Sequence, residues 1–126
     1  MSRRTKKPDA EARRQRAIQR IGRDNAACPI CGENDPRCLQ LHHIAGRRYG
    51  DELAPICAND HCRLSDMQID HPDAIGEKLN NIERIAHFLL GLADLLELAI
   101  AKLREFPKYL IADIAPHYPA ARSDMP

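Results

Sequence analysis

The sequence predicts an α+β fold: a small strand–turn–strand–helix unit pinned by a metal ion, with a basic N-terminal arm before it and a helical region after it. Three observations predict this arrangement. All five cysteines of the 126-residue chain fall between positions 28 and 62. Positions 79–103 carry apolar residues at alternating spacings of three and four. The charge is lopsided: residues 1–23 hold nine Lys or Arg against Asp9 and Glu11, and the rest of the chain holds ten bases and sixteen acids.

The length is that of one domain with tails, too short for a large enzyme that encloses its substrate. Aromatic residues make up 4% and Trp is absent, so the core must rest on Leu, Ile and Ala. A hydrophobic share of 44% argues against full disorder. No apolar run of about 18 residues predicts a spanning helix. No apolar segment follows the basic start, which argues against a secretory signal. Membrane partners are therefore not expected, and a cytoplasmic location is.

Residues 1–23 form the basic arm. Its first seven residues read as disordered, and residues 9–23 as a basic helix with an apolar edge at Ala17, Ile18 and Ile21. A positive arm on an acidic body suits a polyanion, most simply nucleic acid, with Arg13, Arg14, Arg16 and Arg20 as candidate phosphate contacts. Residues 24–71 form the metal-pinned unit. Gly32, Asn34, Asp35 and Pro36 mark a loop over 28–37, residues 38–44 a strand, Gly46 and Gly50 a turn, residues 53–56 a second strand, and residues 60–67 a helix.

Residues 72–106 form a helical packing or dimerisation region. Leu79, Ile82, Ala86, Leu89, Ala93, Leu96, Ile100 and Leu103 make a heptad seam, with Ile85, Phe88, Leu92, Leu95 and Ala99 beside it. The segment either folds back at Gly91 or runs on as one helix. Its apolar face either covers the cysteine-rich unit or pairs with a second copy through 79–103. Residues 107–126, with four prolines, read as an irregular tail.

Five cysteines without a leader do not suit a disulfide framework. Cys28-Pro29-Ile30-Cys31 is a CxxC knuckle that sets two thiolates on one tetrahedral ion, and Cys57 with Cys62 forms a second cluster. Together they read as a structural zinc site. In the stretch Leu41-His42-His43-Ile44, neighbouring imidazoles of a strand point to opposite sides. His42 can therefore meet His61 of the following helix on one cation, leaving His43 to act on water. His71, His87 and His117 read as surface or packing residues.

These motifs resemble the HNH endonuclease family, with its ββα-metal fold, and in particular its small zinc-bearing bacterial and phage forms. The residues that carry the resemblance are Cys28-Pro29-Ile30-Cys31, Leu41-His42-His43-Ile44, Pro55-Ile56-Cys57-Ala58-Asn59-Asp60-His61 and Leu64-Ser65-Asp66-Met67-Gln68. The resemblance implies a hydrolase acting on DNA phosphodiester bonds, with double-stranded DNA as the expected substrate. It makes His43 the general base and gives His42 and His61 a catalytic divalent ion (Mg²⁺, Mn²⁺, Ni²⁺ or Zn²⁺). Arg47 and Arg48 of the turn would clamp neighbouring phosphates. It also brings phage packaging and restriction into view as settings.

Two departures stand out. Where the family has its middle Asn, this chain has Glu52, which either supports His43 or joins the metal shell. Where the family has a cysteine directly before the metal histidine, this chain has Asp60, with Cys62 after His61. Cys62, reached by a late helix start, is the favoured fourth zinc ligand; Asp60 and Cys38 are the alternatives. Two other functions compete with the nuclease: a non-catalytic zinc module that binds nucleic acid, and an interaction protein built on the heptad helix.

Overall fold

The computed structural model describes residues 6–118. Arg3 and Arg4 of the arm, and Pro119 and Pro126 of the tail, lie outside the described residues. The elements run α1 (Ala10–Ile21), β1 (Leu39–His43), β2 (Leu53–Cys57), α2 (Ala58–Ile69) and α3 (Asn81–Ile114), with single 3-10 turns at Pro36–Cys38 and Ala115–His117. The described residues are thus α+β, with three helices around one two-stranded antiparallel sheet. Among the described residues no helix is long and apolar enough to cross a membrane.

Asp9 caps α1 by accepting a hydrogen bond from the Ala12 amide at 2.8 Å. The apolar edge of α1 is buried at Ala17 and Ile21, so the basic helix is docked rather than free. Arg20 reinforces the docking: its Nη2 donates to the Leu39 carbonyl at 2.9 Å and to that of Pro36 at 3.3 Å.

The hairpin register pairs Leu39 with Cys57, Gln40 with Ile56, Leu41 with Pro55, His42 with Ala54 and His43 with Leu53. Alternation therefore sets Gln40, His42, Ala54 and Ile56 on one face and Leu39, Leu41, His43 and Cys57 on the other. Leu39 and Ile56 are fully buried together with Leu64 of α2, and Ile21, Ala26, Ile30 and Leu95 complete this small core.

Helix α3 does not fold back at Gly91 and is not irregular after Pro107. It runs for 34 residues, about 50 Å at 1.5 Å per residue. Pro107 removes one backbone donor, but no further helix breaker follows it before Ile114. The start is fixed by Asn80, whose side chain accepts from the Glu83 amide at 2.7 Å, while Glu83 reaches back to the Ile75 amide at 2.9 Å. Leu79 precedes the cap, so the helical seam begins at Ile82.

The face that α3 buries is a different one from the heptad seam. It consists of Glu83, His87, Gly91 and Leu95, four residues apart. At Gly91 the helix backbone lies directly on the turn after β1, where a Cβ would collide with the Ile44 carbonyl oxygen. Only a glycine permits so close an approach. With 100° per residue, the heptad seam falls on the far side of the helix, and Ile82, Leu89, Leu96, Ile100 and Leu103 are exposed.

Candidate metal centre and imidazole pair

Four donors converge at the end of the hairpin where Cys57 meets Leu39. Cys28, Cys31, Cys57 and Asp60 each offer one ligand atom, and these atoms all lie within 4.8 Å of one another. The knuckle is shaped by its backbone: the Gly32 amide donates to the Cys28 carbonyl and the Cys28 amide to the Glu33 carbonyl, both at 2.8 Å. Gly32 takes a φ of 80°, a left-handed conformation that glycine adopts freely.

On the second arm, Cys57 is the N-cap of α2, and its Sγ accepts from the Asp60 amide at 3.4 Å. One turn of helix then returns the Asp60 carboxylate to the thiol. Its Oδ2 is 3.1 Å from Cys57 Sγ and 3.6 Å from Cys28 Sγ. Tetrahedral zinc with sulfur at ~2.3 Å and oxygen at ~2.0 Å has S···O edges of about 3.5 Å. The donor set therefore fits a metal ion such as zinc.

Asp60, rather than the favoured Cys62, completes the cluster. The reason is the helix start. Because α2 begins at Ala58, Asp60 falls in its first turn, and Cys62, 200° further round, has an exposed thiol. Cys38 is also exposed, in the 3-10 turn.

Burial shapes the ionisation of three of the four groups. Burial pushes the Cys57 thiol up to about 12; the Asp60 amide works against this, while the Asp60 carboxylate and the neighbouring thiols add to it. Burial likewise raises Cys31. Burial also acts to raise Asp60, but hydrogen bonds from Cys57 and Arg63 outweigh it and hold the carboxyl below its ordinary value. Arg63 Nη1 is 2.9 Å from Asp60 Oδ1, so one carboxylate oxygen is held by the guanidinium while the other faces the thiols. A cation among the sulfurs would reverse the cost of ionising them.

The second group lies toward the other end of the hairpin. His42 is buried, and its ring centroid is 5.3 Å from that of His61, with the planes at 77°. Two imidazoles sharing a tetrahedral ion at Zn–N distances of ~2.0–2.1 Å have centroids about 5.2 Å apart. Burial, reinforced by His61 and His43, lowers the His42 pKa to about 4, so this imidazole stays neutral, the form in which it can ligate. His42 Nε2 lies 3.4 Å from Gln68 Nε2, which also donates to the carbonyls of His43 at 3.0 Å and Ile44 at 3.3 Å. His43 is on the opposite face of β1 and is half-buried.

The structure brings other candidates less close. The Glu52 carboxylate folds over the turn against Gly50, and among the described residues no hydrogen bond joins it to the His43 ring. Arg47 and Arg48 are exposed at the turn. Arg14 and Arg16 are exposed on α1, Arg13 bonds back to the Pro8 carbonyl at 2.9 Å, and Arg20 serves the α1 docking described above.

Sequence reasoning missed a polar cluster beneath the turn. His71 is no surface residue: its side chain is 11% exposed and its Nε2 lies 2.6 Å from Asp94 Oδ2. His87 is buried and stacks on Tyr49 with centroids 3.6 Å apart and planes 3° off parallel. His71, His87, Tyr49 and the Arg47–Arg48 turn line an open cavity of about 330 Å³. The available signal was Glu83, His87 and Gly91, a non-apolar row at spacings of four within an otherwise apolar helix.

Comparison with protein-family models, with curated proteins and with solved structures gave no match for this chain.

Proposed function

We propose that the chain is a metal-dependent endonuclease of the HNH type that hydrolyses DNA phosphodiester bonds, with structural zinc held by Cys28, Cys31, Cys57 and Asp60. The observation that carries this reading is the buried, neutral His42 beside His61, at a separation that suits one shared cation, with His43 next in the strand on the opposite face.

His42 and His61 would hold the divalent ion. When bound, that ion stabilises negative charge on the phosphate and on the departing 3′ oxygen. His43, the last residue of β1, takes the proton from the attacking water. Arg47 and Arg48 face solvent beside this end of the hairpin and would meet the flanking phosphates; Arg14 and Arg16 extend the positive surface.

Purified protein should nick supercoiled plasmid DNA with Mg²⁺ or Mn²⁺. His43→Ala should lower the rate by about 10²–10⁴-fold while zinc content stays the same. Undiminished cleavage by that variant would remove the assigned base. A second reading, a zinc module that binds nucleic acid without cutting it, is favoured by the Glu52 carboxylate being turned to Gly50 rather than to His43. Salt-sensitive DNA binding with no cleavage in any divalent metal would establish that reading instead.

A further inference from the structure

We propose that α3 pairs antiparallel with α3 of a second copy of this chain, through the heptad seam on the side of the helix away from the metal-binding unit. This inference is independent of the nuclease reading.

The first argument is which face is left. Intramolecular packing uses Glu83, His87, Gly91 and Leu95. On the opposite side the three-and-four spacing continues beyond Leu103: Leu89, Ala93, Leu96, Ile100, Leu103, Pro107, Leu110 and Ile114. Leu89, Leu96, Ile100, Leu103, Leu110 and Ile114 are each 48–69% exposed. With Leu90 and Ile111 at one edge, also exposed, the stripe presents on the order of 700–800 Å² of apolar surface, close to the amount one partner contributes to a standard stable interface; Phe106, at the other edge, borders a groove shared with Pro29, Ile30 and Cys31. Isolated monomers rarely expose so large a contiguous patch.

The second argument is register. An antiparallel pair sets each a position against a d position. With the two-fold axis between residues 101 and 102, Ile100 meets the partner's Leu103, Leu96 the partner's Pro107, Ala93 the partner's Leu110 and Leu89 the partner's Ile114. Every small or ring-constrained residue then faces a large one. A parallel pair would set Ala93 on Ala93 and Pro107 on Pro107, which leaves voids.

The third argument is charge. Glu97 and Arg104 flank the seam on one edge, seven residues apart. Antiparallel pairing in the same register places Glu97 of each copy beside the partner's Arg104, twice over. In a parallel pair these positions face Leu92 and Ala99 class neighbours and find no opposite charge.

Sedimentation equilibrium of the full chain at micromolar concentrations tests the proposal. The wild-type chain should be a dimer. Ile100→Glu, which would bury a charge at the centre of the seam, should be monomeric while retaining its zinc, the check that it has folded. Glu97→Arg should weaken the dimer about tenfold, and adding Arg104→Glu should restore it. A wild-type monomer, or a dimer that survives Ile100→Glu, would overturn the interface. Equal affinity in all the charge variants would overturn the antiparallel register.

Discussion

The two ends of the hairpin are held by different physics. At the end where Leu39 faces Cys57, four donors within 4.8 Å of one another come from a knuckle and one helical turn. Each arm is local in sequence: Cys28 to Cys31, and Cys57 to Asp60. At the other end, where His43 faces Leu53, no such cluster exists among the described residues. That end is gripped from outside by the Gln68 amide on the His43 and Ile44 carbonyls, and by the bare backbone of α3 at Gly91. The His71–Asp94 contact ties the loop after α2 to the same helix. A closed centre of four protein ligands suits a structural role.

The largest expected effect is at the closed end. Stripping the metal with a chelator should remove on the order of 10 kcal/mol of binding free energy, comparable with the whole stability of a small domain. Circular dichroism should then show loss of the cooperative unfolding transition. Retention of that transition would mean that the core of Leu39, Ile56 and Leu64 holds the hairpin by itself.

At the open end, Gly91→Ala should destabilise the zinc-loaded protein by about 2–3 kcal/mol in urea titration, because the added methyl forces α3 away from the Ile44 carbonyl. Zinc content should not change. An unaltered midpoint would show that α3 does not grip the turn.

Acid should distinguish the ends next. The His42 pKa is lowered to about 4 in the folded chain, so the unfolded chain takes up the proton first. The His42 contribution to stability is complete above about pH 6.5 and is lost as the pH falls toward 4, a change on the order of 2–3 kcal/mol. His42→Gln should flatten the pH dependence in this window relative to the wild type. Parallel curves would place the acid sensitivity in the thiolate centre alone.

The smallest effect is expected from Cys62→Ser, whose thiol is exposed: a change within about 0.5 kcal/mol and full zinc stoichiometry. Asp60→Ala should lower zinc affinity instead. The opposite outcome would restore Cys62 as the ligand.

Much of the hairpin was legible in advance because its signals are short-range. The CxxC knuckle, Gly46 and Gly50, and the break at Pro36 lie within a few residues of the elements they delimit. The choice of Asp60 over Cys62 was not legible, since it depends on whether α2 begins at Ala58 or one turn later. A shift of two residues turns a side chain by 200°, so a small error in a helix boundary exchanges one ligand for another.

The sequence alone determined the clustering of thiols, the adjacent imidazoles on opposite faces of a strand, and the heptad period of α3, all of which follow from spacing and backbone geometry. Only the tertiary structure decided which face of α3 turns inward. Apolar content pointed to the heptad seam, but contact with the turn requires close backbone approach and polar partners. Gly91, His87 and Asp94 supply these, and the leucine-rich side is left outward.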